Sequence, residues 1–182
     1  KAFSMGNQLE FAGSGELDNG LTVSLNMVLD QNDDKTTTAP TSTTGWNTGT
    51  PFDSHSVSVS SDALGTLVFH GEGGSSAQGA IDTTAAGDLW DNSFGITAAQ
   101  DPKASAMSDN SIYYTLPTLM DGVAITTSYS PKGTGAEASM AYGLGYTGVE
   151  GLSVNYAKGE DNSAQNDITV DVTTMKASYA YG

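Results

Sequence analysis

The sequence predicts an all-β chain, an antiparallel up-and-down barrel of the kind that crosses a membrane. Two observations carry this. Runs of alternating apolar and polar residues break at tight turns and resume, at Leu17-Asp18-Asn19-Gly20, Asp62-Ala63-Leu64-Gly65, Leu119-Met120-Asp121-Gly122 and Tyr146-Thr147-Gly148-Val149-Glu150-Gly151. Between these hairpins the chain mostly makes longer polar excursions, so the two ends of the meander are unlike. Short turns on one side and long loops on the other are the layout of an outer-membrane barrel.

The elements follow in order. Leu9 and Phe11 face one way, and Gln8, Glu10 and Ala12 the other. After Asp18-Asn19-Gly20, where positive φ angles suit a tight hairpin, Leu21, Val23, Leu25, Met27 and Leu29 line one face. Thr22, Ser24 and Asn26 line the opposite face. Residues 30–54 are a polar excursion. Val57 and Val59 then alternate with serines, and Leu67 and Phe69 alternate with Thr66, Val68 and His70. Residues 71–109 form the longest excursion, in which a stretch around Trp90 has room for a short helix. Loops of that length in compact domains are usually functional or disordered.

Ile112 and Tyr114 oppose Ser111, Tyr113 and Thr115; Val123, Ile125, Thr127 and Tyr129 oppose Ala124, Thr126 and Ser128. After a loop at 131–135 come Ala138, Met140, Tyr142, Leu144 and Tyr146, and then Leu152, Val154 and Tyr156. Beyond the acidic loop 158–167, Ile168, Val170 and Val172 share one phase, while Met175, Ala177, Tyr179 and Tyr181 share the other. That slip near Thr173-Thr174 predicts a bulge, or a strand leaving the membrane band. The reading gives about nine strands, no long helix and no repeat of fixed period.

Composition narrows the function. The 182 residues carry 6 Lys+Arg against 21 Asp+Glu, a formal charge of -15, and every basic residue is Lys. Nucleic-acid binding is disfavoured, because phosphate contacts need clustered Lys and Arg. With no Cys, disulfides, thiol catalysis and Cys-ligated metals are excluded. No apolar run approaches the roughly 20 residues of a membrane helix, but barrel strands need only about 9–11 alternating ones. Lys1-Ala2-Phe3-Ser4 opens no signal peptide, so the chain reads as mature, truncated or cytoplasmic. Its end inside a strand at Tyr179-Ala180-Tyr181-Gly182 points to a fragment.

A soluble sandwich also has one-faced strands. Two features favour lipid. Ser, Thr, Gly and Ala dominate the polar face, leaving room for water where a filled small barrel needs bulky or paired charged residues. Tyr114, Tyr129, Tyr146 and Tyr156 sit near strand ends on the apolar face, as in an interfacial girdle.

Asp62-Ala63-Leu64-Gly65-Thr66-Leu67-Val68-Phe69, then a long Gly/Asp-rich loop, then Ser108-Asp109-Asn110-Ser111-Ile112-Tyr113-Tyr114 and Gly122-Val123-Ala124-Ile125 form one ordered series. In this order the chain resembles the general diffusion porins of Gram-negative outer membranes, particularly the alphaproteobacterial type. The resemblance implies a 16-stranded homotrimeric barrel, of which residues 1–182 are part of a single domain lacking the first and the C-terminal strands. It also implies that the long third loop, 71–109, folds into the pore. Glu72, Asp82, Asp88 and Asp91 are then the candidates for an acidic constriction. The family's facing Arg/Lys cluster has no counterpart here: the chain has no Arg. An acidic pore would prefer cations. Glu10, Asn26, His70 and Tyr113 are expected to line it.

Other chemistry is weakly supported. Asp30-Gln31-Asn32-Asp33-Asp34 opens like a calcium loop, but Lys35 and Thr41 stand where Gly and Glu are required. His55 and His70 flank one hairpin without an evident third metal ligand. No Gly-X-Ser-X-Gly elbow and no phosphate loop leading into a helix is present. The expectation is therefore a non-enzymatic outer-membrane diffusion channel, needing no cofactor or metal. Its partners are outer-membrane lipid, small hydrophilic solutes and cations, with exposed loops open to phage or antibody. The rivals are a complete small barrel with a structural or adhesive role, and a secreted β-sandwich binding module using Trp46 or Trp90.

Overall fold

The computed structural model describes residues 9–29, 52–81, 110–131, 138–161 and 170–181. They form one sheet of nine antiparallel strands: β1 (Leu9–Glu16), β2 (Thr22–Leu29), β3 (Phe52–Ser61), β4 (Gly65–Glu72), β5 (Ser111–Thr115), β6 (Val123–Ser130), β7 (Ser139–Tyr146), β8 (Leu152–Asp161) and β9 (Val170–Tyr179). Each strand pairs only with its neighbours in sequence, so the expected meander is present. Strands of 8–10 residues, such as β2 and β8, run about 27–34 Å at about 3.4 Å per residue. A tilt near 40° brings that close to the ~25 Å apolar band of an outer-membrane barrel.

The short turns rely on glycine. Gly20, Gly65, Gly122 and Gly151 all hold φ between 75° and 80°. Asn19 does not share the positive φ that an Asn-Gly pair suggests. Instead Gly20 N–H donates to Leu17 O at 2.9 Å and Leu17 N–H to Leu21 O at 2.8 Å. This is a type I turn closed by one left-handed glycine. The Asn19 side chain accepts from Leu21 N–H at 3.2 Å. At Gly65 a methyl group would come within 2.2 Å of Thr115 O, so the turn packs too closely against its neighbour for any other residue.

The register divides the residues into two faces. Phe11 pairs with Met27, Leu25 with Val57, Val57 with Phe69, Phe69 with Ile112, Ile125 with Leu144 and Leu144 with Tyr156. One position away, Ser24 pairs with Ser58, Ser58 with Val68, Val68 with Tyr113, Tyr113 with Ser128 and Ser128 with Ala141. The bulge considered near Thr173-Thr174 is absent: β8 and β9 pair without a shift from Leu152↔Tyr179 to Asp161↔Val170. The chemistry changes while the alternation holds. Met175 is the last large apolar residue on its face, and Thr173 and Asp171 follow, beside Lys158 and Glu160 of β8. Lys158 Nζ lies 3.2 Å from Asp171 Oδ2. Large apolar side chains thus end on this face before the strands do. The register does shift at the loop-side ends of β2–β3 and β3–β4.

The packing is inside out. Among the described residues the buried apolar side chains are only Val28, Ala77, Ala141, Ala157 and Val172. Fourteen exposed large apolar side chains share the apolar face, among them Phe11, Leu25, Phe69, Leu144 and Met175. At roughly half exposure each forgoes about 1 kcal/mol, so the face forgoes roughly 14 kcal/mol in water. A whole domain has a net stability of only about 5–15 kcal/mol. So large an apolar face calls for a cover other than water.

Candidate functional site

Among the described residues, the polar face of β1–β3 is an open wall. Ala12, Gly13, Ser14, Ser24, Asn26, Ser56 and Ser58 line a shallow depression of about 420 Å³. Small hydroxyls dominate because the alternation places them here. Glu10 and Asn26 belong to this wall, and Asn26 Nδ2 donates to Glu10 Oε1 at 2.7 Å. The bond fixes a carboxylate on the polar face near the long-loop end of β1. Tyr113 and His70 also share this face, through the pairs Val68↔Tyr113 and His70↔Ser111.

Glu72 is placed differently. The register shift after His55 makes it the cross-strand partner of His55 rather than a continuation of the Val68–His70 series. His55 belongs to the apolar face, opposite Met27. Its ring occupies the space where a methyl on Gly71 would stand, in an apolar depression with Leu25, Met27, Val57 and Phe69. His55 and His70 therefore lie on opposite faces and do not form a two-histidine site. Asp82, Asp88, Asp91, Trp46, Trp90 and the Asp30–Asp34 cluster lie outside the described residues.

The polar face of β6–β9 is covered. The chain leaves β4 at Gly73, with φ 77°, and turns across this face. Ala80 N–H donates to Ser76 O at 2.8 Å and Gly79 N–H to Ser76 Oγ at 2.8 Å, which closes a compact turn. Ala77 N–H donates to Ser128 Oγ on β6 at 2.9 Å. Gln78 Nε2 donates to Thr174 Oγ1 on β9. Ser76, Ala77 and Gln78 are 2%, 1% and 1% exposed. At the loop's other end, Asn110 N–H donates to Gly71 O at 3.1 Å. A flat sheet would hold β4 and β9 about 24 Å apart at ~4.8 Å per strand. The turn that follows β4 reaches across the polar face to β6 and β9.

The turn fits because the wall beneath it is small. Gly143 abuts Thr126 and Ala77, and a methyl there would lie 2.5 Å from Thr126 Oγ1 and 3.1 Å from Ala77 O. Ala141 and Ala157, on the same face, are 1% and 0% exposed. Small inward residues imply room for water when only the sequence is considered. On β1–β3 that room is open, whereas on β6–β9 it is filled by protein. Sequence reasoning missed Gln78, Ser128 and Thr174 for this reason. No local signal marks them: Ala141, Gly143 and Gly145 opposite Ala157 and Gly159 are small residues, as on the open wall, and small size does not say what fills the space. Lys176, beside Asn155, is a cationic residue of the polar face that composition alone did not single out.

A family model described as Gram-negative porin matches residues 1–182. The chain belongs to that family. No curated protein and no solved structure matches it. Membership agrees with the inside-out sheet, and it places this porin chain in the outer membrane. The apolar face is then the lipid face and the polar face the inner wall.

Proposed function

We propose that the protein forms a water-filled channel through which small hydrophilic solutes and ions diffuse passively, with cations preferred. The observation that carries the reading is the division of the sheet, with large apolar side chains outside and small hydroxyls inside. No bond is made or broken in such a passage. The pore works by offering water and polar contacts across an apolar barrier.

Charge supports the cation preference. On the described inner strands Glu10 and Glu16 share the wall of β1, against Lys176 on β9, in a chain of formal charge -15. Carboxylates along a low-dielectric channel raise the local cation concentration. The long loop after β4 is proposed to narrow the lumen, beginning with the turn at Ser76–Gln78 and continuing through Asp82, Asp88 and Asp91; Glu72 stands at its root. A homotrimer in outer-membrane lipid, with external loops open to phage or antibody, completes the proposal.

The test is single-channel recording of the full-length protein in a planar bilayer under a salt gradient. Discrete steps with a reversal potential toward the cation potential are expected. A folded protein that gives no steps contradicts the channel, and an anion-side reversal contradicts the acidic pore.

A further inference from the structure

We propose that Gln78 and Thr174 are positioning residues that hold the Ser76–Gln78 turn as a fixed part of the pore wall, and that this hold keeps the open level of the channel steady. The inference rests on the channel reading above and adds the part that sets the width of the lumen on the β6–β9 side.

Among the contacts that seat the turn, three come from different strands. The Gln78 amide donates to Thr174 on β9. The Ala77 backbone donates to Ser128 on β6. The Ala77 carbonyl faces a strand position, Gly143, that has no side chain. Gln78 is 1% exposed, so its amide has been taken out of water, and removing the Thr174 hydroxyl takes away a hydrogen bond that water does not readily replace. A turn of this kind has two states, seated with its bonds made or lifted into the lumen with water on both sides. The Thr174 hydroxyl biases the turn toward the seated state. It also ties the turn to a strand 96 residues further along the chain.

Thr174→Val keeps the shape and removes the acceptor, while Thr174→Ser keeps the hydroxyl. In the full-length channel, Thr174→Val is expected to raise open-level current noise at least twofold and add sublevels, with Thr174→Ser unchanged from the parent. A second readout does not depend on conduction. The chain has no Cys, so Ala77→Cys supplies one buried thiol. A water-soluble thiol reagent should label it slowly when Thr174 is intact and at least tenfold faster when Ala77→Cys is combined with Thr174→Val. If Thr174→Val fails to assemble, Gln78→Leu is measured in its place with the same two readouts. A folded variant whose noise and labelling both equal the parent's overturns the proposal. If the parent conducts no current, the channel reading fails, and the labelling comparison still decides whether the turn is held.

Discussion

The inner faces of β1–β3 and β6–β9 are built from the same small residues and end in opposite states. Ser24, Ser56 and Ser58 border an open depression of about 420 Å³. Ala141, Ala157 and Ser128 are almost completely buried. The difference lies in the chain that crosses the second wall, anchored by Ala77 and Gln78. Small side chains create a space without deciding what fills it. On one wall they leave a path for water, and on the other they form a seat for protein.

The largest expected effects come from confusing the inner and outer faces. Leu25→Arg puts a charge into lipid and should destabilise the assembled protein by about 2–4 kcal/mol if it lies near the membrane midplane, read by urea unfolding in vesicles. Ser24→Arg, one residue away on the inner wall, should leave stability nearly unchanged and shift the reversal potential toward anions. Equal destabilisation by the two would break the assignment of faces.

The next effect separates the two inner walls. Ala157→Leu overpacks a residue of 0% exposure and should cost about 1–3 kcal/mol. Ser56→Leu, in the open wall, should stay within about 0.5 kcal/mol while lowering conductance. Similar stability losses would mean that both walls are covered.

Much of this was legible in the sequence. Alternation with the Gly20, Gly65, Gly122 and Gly151 turns gave nine strands and their faces, because a strand's period of two and a glycine's positive φ are local properties. The placement of Glu10, Asn26, His70 and Tyr113 on the polar face is read off the same alternation. The shifts at the loop-side ends were not legible. They depend on how β3 meets β4 around His55 and Gly71, and one of them separates Glu72 from the His70 series. The seat of Gln78 was equally hidden, since its partner Thr174 is 96 residues away and no local pattern joins them.

Smaller effects sharpen the comparison. Glu10→Gln removes one inner-wall carboxylate and should move the reversal potential slightly away from the cation potential, with Asn26 still able to donate to the amide oxygen. Lys158→Ala removes an exposed pair with Asp171, whose side chains are 49% and 62% exposed, and should change stability by at most about 0.5 kcal/mol.

The most direct test is a cysteine scan of the full-length protein in lipid vesicles with a water-soluble thiol reagent, taking positions 56 to 59 on β3 and 141 and 157 on the covered wall. Ser56→Cys and Ser58→Cys should label rapidly, Val57→Cys and Val59→Cys hardly at all, and Ala141→Cys and Ala157→Cys slowly although they share the inner face. Equal labelling of residues 56 to 59 would contradict a sheet with a wet inner wall and a lipid-facing outer one.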